Sequence, residues 1–125
     1  MLIVTAMLEY DSAQDLLCGA RGFGAQPRML LFRWKDLAVD LMVWDRGRRA
    51  CSVHGRVTEG PTRTPVAGAE VSAPGAEVVT DKFGEFAVVL GQEWQTRELR
   101  VRTAAAEVVC RIPREDEGYQ ALPGA

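Results

Sequence analysis

The chain has 125 residues, of which 47% are hydrophobic and 26% charged, and its formal net charge is −2. That length makes one domain with a real core. The near-neutral charge excludes a global field that would draw the molecule to nucleic acid or to an anionic membrane.

Met1-Leu-Ile-Val-Thr-Ala-Met-Leu8 is apolar, yet far shorter than the ~20 residues of a membrane span. It also lacks the basic start and small-residue cleavage site of a leader peptide. Val4, Ala6, Leu8 and Tyr10 alternate with Thr5, Met7 and Glu9, which predicts a strand. Without an export signal the expected compartment is the cytoplasm. Residues 11–28 hold Gly19, Gly22, Gly24 and Pro27 and predict a connecting loop, with one helical turn over residues 13–17.

Residues 29–34 and 37–44 predict a hairpin about Lys35-Asp36. Trp34 then faces Leu37, Phe32 faces Val39 and Leu30 faces Leu41, a wholly apolar side that must be core. On the other side Met29, Leu31 and Arg33 oppose Ala38, Asp40 and Met42, with Trp44 beyond. That side is half apolar. Either the N-terminal strand or the tail covers it, or another protein does.

Asp45-Arg-Gly-Arg-Arg49 predicts the next turn. The strand at 50–58 points Cys51, Val53, Gly55 and Val57 inward, and Ser52, His54, Arg56 and Thr58 outward. Two prolines and a glycine in residues 59–65 predict a loop outside any ladder. Strands are expected at 70–73, 76–80, 85–90, 98–103 and 106–112, followed by a polar tail over 114–125. Short strands at this spacing predict an all-β, Ig-like sandwich of about eight strands with Greek-key-like wiring. The whole of residues 1–112 reads as one domain.

Candidate chemistry is sparse. Cys18, Cys51 and Cys110 include no C-x-x-C pair, and His54 is the only imidazole, so a structural zinc site lacks its usual about four ligands. Cys51 and Cys110 fall on inward positions as small hydrophobes, and a reducing cytosol disfavours a disulfide between them. Ser12, Ser52 and Ser72 sit in no Gly-x-Ser-x-Gly elbow. Gly19-Ala-Arg-Gly-Phe-Gly24 lacks the Lys-Ser/Thr and the helix of a phosphate loop. In Thr80-Asp-Lys-Phe-Gly-Glu-Phe86, Asp81 can accept backbone N–H bonds and Gly84 can take the left-handed conformation that closes a hairpin. A calcium loop there would want about six to eight oxygens, and the neighbours do not offer them. Arg100, Arg102 and Arg111 point outward on the last two strands beside Glu98 and Glu107, a mixed-sign face suited to solvent.

Gly55 and Val57, then Pro65, Gly68, Ala69 and Val71, then Thr80, Asp81, Gly84 and Phe86 make a pattern that resembles the carboxypeptidase regulatory-like domain, a transthyretin-like sandwich. The resemblance covers residues 53 to 112 and implies turns and core, with no activity attached. Residues 1–52 would then extend the same sandwich. Tyr10-Asp-Ser12, Gly19-Ala-Arg-Gly22, Met29-Leu-Leu-Phe32 and Leu37-Ala-Val-Asp-Leu41 look like the front segment of small bacterial proteins similar to companions of extracytoplasmic-type sigma factors and caspase-like peptidases. The transthyretin-like fold also hosts a ureidohydrolase with clustered histidines, which His54 alone does not reproduce.

The expected function is therefore non-enzymatic: a regulatory module that binds another protein, with no cofactor, no metal, no nucleic acid and no membrane. Met29, Leu31, Met42 and Trp44 are the candidate anchors, and Arg46, Arg48 and Arg49 the charged rim. Alternatives are a transthyretin-like hydrolase, a carbohydrate-binding or surface module, and a protease target cleaved at residues 59–64 or 114–125. The aromatic content of 7% is low for sugar platforms.

Overall fold

The computed structural model describes residues 1–14, 27–45, 51–91 and 97–113. Eleven strands are found among them: β1 (Ile3–Thr5), β2 (Met7–Asp11), β3 (Arg28–Trp34), β4 (Leu37–Asp45), β5 (Cys51–Glu59), β6 (Thr64–Pro65), β7 (Glu70–Ala73), β8 (Ala76–Val79), β9 (Glu85–Leu90), β10 (Glu98–Arg102) and β11 (Glu107–Arg111). The only helical piece among the described residues is a single 3-10 turn at Ser12–Gln14, which begins one residue before the expected turn. The rest of that expectation, and Cys18, lie outside the described residues.

The strands form a sandwich of two sheets. The smaller runs β1-β11-β10-β7-β8. The larger runs β2-β3-β4-β5, and the far edge of β5 is shared by β9 along Cys51–Arg56 and by β6 at Thr58 and Glu59. Their inner faces bury one continuous core that includes Phe32, Val39, Leu41, Val53, Val57, Phe86 and Leu90 from the larger sheet, with Val71, Leu99, Val101, Val108 and Cys110 from the smaller. Period-two alternation produces this directly, because residues i and i+2 of a strand share a face.

The β3–β4 hairpin has the expected register, with Trp34 opposite Leu37, Phe32 opposite Val39 and Leu30 opposite Leu41. Two expectations fail nearby. The N-terminal run is two strands: β1 pairs parallel with β11, the chain crosses between sheets at buried Ala6, and β2 pairs antiparallel with β3. Ala6 anchors the crossing by donating its N–H to Val109 O at 2.9 Å. The second failure is the 59–65 loop, where Thr64–Pro65 form a short ladder with Thr58 and Glu59. Pro65 is tolerated because it lies in a two-residue edge strand, where its missing N–H interrupts nothing. The next residue restores the bonding: Val66 N–H donates to Val57 O at 2.9 Å.

The 80–86 turn behaves as read from its residues. Asp81 Oδ1 accepts the N–H groups of Phe83 and Glu85, both at 2.9 Å. Gly84 has φ +75°, and a Cβ there would meet Val57 O at 2.4 Å. Buried Thr80 ties this corner to the 66–69 turn, since its Oγ1 accepts from Ala69 N–H (2.9 Å) and donates to Val66 O (2.7 Å).

Candidate protein-binding face

The two outer faces of the sandwich differ in kind. On the smaller sheet, Arg111, Glu98, Arg100, Glu107, Arg102 and Glu70 form an unbroken chain of ion pairs at 3.0–3.5 Å. Signs alternate along it, which is the mixed-sign face expected from Arg100, Arg102 and Arg111 beside Glu98 and Glu107. Glu107 at its centre is buried, while the arginines are exposed to solvent at their heads. Exposed pairs of this kind are individually weak, and along the chain each charge sits beside its opposite.

The outer face of the larger sheet is apolar through its middle. Pairing register places Met29 beside Met42, Met42 beside His54, and His54 beside Ala87 in one cross-sheet row. A neighbouring row joins Trp44, Ser52 and Val89. The row on the other side runs Tyr10, Leu31, Asp40, Arg56 and Glu85. Met29 is 49% exposed and Met42 36%, while Leu31 and Trp44 are half-buried. The four apolar anchors expected from the sequence therefore lie on one face. Arg46, Arg48 and Arg49 lie outside the described residues.

One contributor was missed. Simple alternation puts Tyr10 on the inner side with Ala6 and Leu8. A β-bulge between Leu8 and Tyr10 instead sets Tyr10 opposite Leu31 and turns Asp11 inward. Tyr10 becomes 41% exposed on the apolar face. Asp11 is buried against Arg28, which donates Nε–H to Oδ1 at 2.9 Å and Nη2–H to Oδ2 at 2.5 Å. Next to this pair, Met29 N–H donates to Ser12 Oγ at 2.8 Å, a second tie at the strand end that presents Met29.

Tyr10, Met29, Leu31, Met42, His54 and Arg56 are among the residues lining a shallow groove of about 490 Å³ on this face. Asp40 and Glu85 stand at its polar edge, and Arg63 pairs with Asp40 at 2.6 Å. The N-terminal strand does not cover the face; β2 extends the sheet at its edge.

His54 is exposed and has no hydrogen-bond partner among the described residues, so nothing orients its ring as a base. No group of three or more His, Cys, Asp and Glu among the described residues is arranged to hold a metal. Asp81 spends one carboxylate oxygen on backbone N–H groups. Cys51 is half-buried on β5 and Cys110 fully buried on β11, both as thiols. Among the described residues no helix is long and apolar enough to cross a membrane.

Comparisons with family models, with curated proteins and with solved structures return no match in any of the three. The face is read on its own geometry.

Proposed function

We propose that the chain is a non-enzymatic, regulatory protein-binding module that presents the outer face of its larger sheet to a partner. The carrying observation is the contrast between the two faces. One is closed by a self-neutralising ion-pair chain, and the other exposes Met29, Met42 and Tyr10 side by side, with Leu31 and Trp44 half-buried between strands. Contiguous exposed apolar area rimmed by polar groups marks an interaction surface. Methionines suit it because their flexible thioethers adapt to a partner's contour. Specificity then comes from the charged row Asp40, Arg56 and Glu85, with Arg46, Arg48 and Arg49, which follow β4 in sequence, as further candidates.

We retain a transthyretin-like, carboxypeptidase regulatory-like kinship as part of this reading. Its support is the way Gly55, Thr80, Asp81, Gly84 and Phe86 cooperate in one corner as structural residues. The looser resemblance of the first half makes a sigma factor or a caspase-like peptidase of a bacterial signalling or defence system the first partner to test. Against such a partner the chain acts as adaptor, inhibitor or target.

The test is co-purification with a candidate partner. A Met29→Asp/Met42→Asp double variant should weaken the complex by roughly 30-fold or more, the scale of interface hot spots, with a nearly unchanged melt. Arg100→Ala on the opposite face should retain it. Loss of binding with Arg100→Ala alone places the interface on the other sheet.

A further inference from the structure

The open edge of β9 carries an inference that is independent of the face-binding reading. Exposed strand edges are templates for pairing with another chain, and proteins blunt them with bulges, prolines, charges or brevity. Most edges here are blunted. β1 has three residues, β2 carries the bulge at Leu8/Tyr10, β6 has two residues including Pro65, and β8 has four with Glu77 among them. β9 has six residues, Glu-Phe-Ala-Val-Val-Leu, with no bulge or proline and with its one charge, Glu85, at its first position.

The bonding of Glu85 shows which groups of β9 are open. Asp81 N–H donates to Glu85 O at 2.9 Å, and Glu85 N–H donates to Asp81 Oδ1 at 2.9 Å. Glu85 therefore turns its backbone away from β5, whereas Gly84 O accepts from Val57 N–H of β5 at 2.8 Å. Backbone groups of a strand alternate sides residue by residue. Phe86 and Val88 hence bond to β5, and the N–H and C=O of Ala87 and Val89 point outward. No described residue partners these four groups.

We propose that β9 pairs antiparallel with β9 of a second copy of this chain, about a two-fold axis at Val88. The axis position follows from the open groups. Because Asp81 occupies the outward groups of Glu85, the register that uses all four within the six residues of β9 sets Ala87 against Val89 of the second copy, and Val89 against its Ala87. An axis at Ala87 would place Val89 against the already bonded Glu85 and leave half of them unmet. Val88 directs its side chain into its own core, so nothing collides on the axis. On the outer face each small Ala87 lies beside a Val89, which is 62% exposed in the single chain, and the contact repeats by symmetry. The row Met29–Met42–His54–Ala87 of one copy then continues into the row Val89–Ser52–Trp44 of the other, joining two apolar faces into one surface.

The experiment is sedimentation velocity on the intact chain from low micromolar to about millimolar concentration, with residue-resolved amide exchange. A concentration-dependent dimer is expected, in which exchange at Ala87 and Val89 slows while that at Phe86 and Val88 does not change. Ala87→Pro removes one outward donor per copy without touching the β5 ladder and should weaken the dimer by roughly tenfold or more. Val89→Lys, which leaves the backbone whole, should do the same if the proline variant folds poorly. A chain that stays monomeric throughout, or a dimer that both variants leave intact, overturns the proposal.

Discussion

Gly55 and Phe86 occupy one shared volume. They are cross-strand partners on β5 and β9, and a Cβ on Gly55 would lie 2.1 Å from Phe86 Cζ and 2.3 Å from Cε1. The ring lies across the glycine, so the missing side chain of one is the packing site of the other. Gly55→Ala should therefore destabilise the fold by about 3 kcal/mol, the upper range for overpacking. In a Phe86→Leu background the same change should cost much less, because the clashing atoms are gone. Urea titrations of the four-member cycle measure the coupling. Additive effects would show that the ring does not fill the space over Gly55.

The buried Asp11–Arg28 pair makes the second prediction. Side-chain exposure is 1% and 4%, and the carboxylate also accepts Ala13 N–H at 3.0 Å. Removing one partner leaves a buried charge without compensation, which costs about 3–5 kcal/mol. Asp11→Asn and Arg28→Met should each lose that much. Asp40→Asn, which breaks the exposed pair with Arg63, should cost less than about 1 kcal/mol. Equal losses for the buried and exposed pairs would mean that Asp11 and Arg28 reach water.

These two sites mark what was legible in the sequence and what was not. The Gly55 and Phe86 strands were readable because alternation assigns faces without knowledge of distant partners. The 80–86 turn was readable because aspartate and glycine have specific backbone roles there. The same reasoning grouped Met29, Leu31, Met42 and Trp44 on one side of a hairpin, where pairing register keeps them. Tyr10 was misassigned because a single bulged residue, Glu9, inverts the alternation after it, and nothing in composition announces a bulge; Asp11, expected to open the connecting loop, is instead the last residue of β2. The buried partner of Asp11 lies 17 residues away in sequence, a separation that local periodicity cannot bridge. The ladder at Thr64–Pro65 was hidden by proline's general avoidance of sheets, which holds in sheet interiors and lapses at an edge.

Thr58 and Thr80 are both buried threonines with opposite bonding. Thr80 Oγ1 both accepts and donates a hydrogen bond, whereas Thr58 Oγ1 has no partner among the described residues. Thr80→Val strands the Ala69 N–H and the Val66 carbonyl and should destabilise by about 1–3 kcal/mol. Thr58→Val exchanges an unsatisfied hydroxyl for a methyl of similar shape in a strand, and should be neutral or stabilising by about 1 kcal/mol. Thermal melts of the two variants check the assignment: the Thr80 variant should melt lower than wild type and the Thr58 variant no lower.

Cys110 makes the last prediction, in pH. Burial among apolar side chains of β10 and β11 pushes its thiol up from 9.0 to about 12, because the thiolate loses its hydration there. Below pH 9 the folded and unfolded chains both hold the proton, and this group does not make stability depend on pH. Between about 9 and 12 the unfolded chain releases the proton while the native chain keeps it. Fewer protons are then bound in the unfolded state, so stability falls as pH rises, by at most about 1.4 kcal/mol per pH unit from this group. Cys110→Ala creates a small cavity and lowers stability near neutral pH, but it removes the titration. The gap between wild type and variant should narrow steadily above about pH 9, the wild type losing stability faster. Alkylation followed by peptide mapping gives an independent check: in the native chain Cys51, half-buried on β5, should react well before Cys110. A constant gap across that range, or a Cys110 labelled as fast as Cys51, would show that the thiol is not sealed in the core.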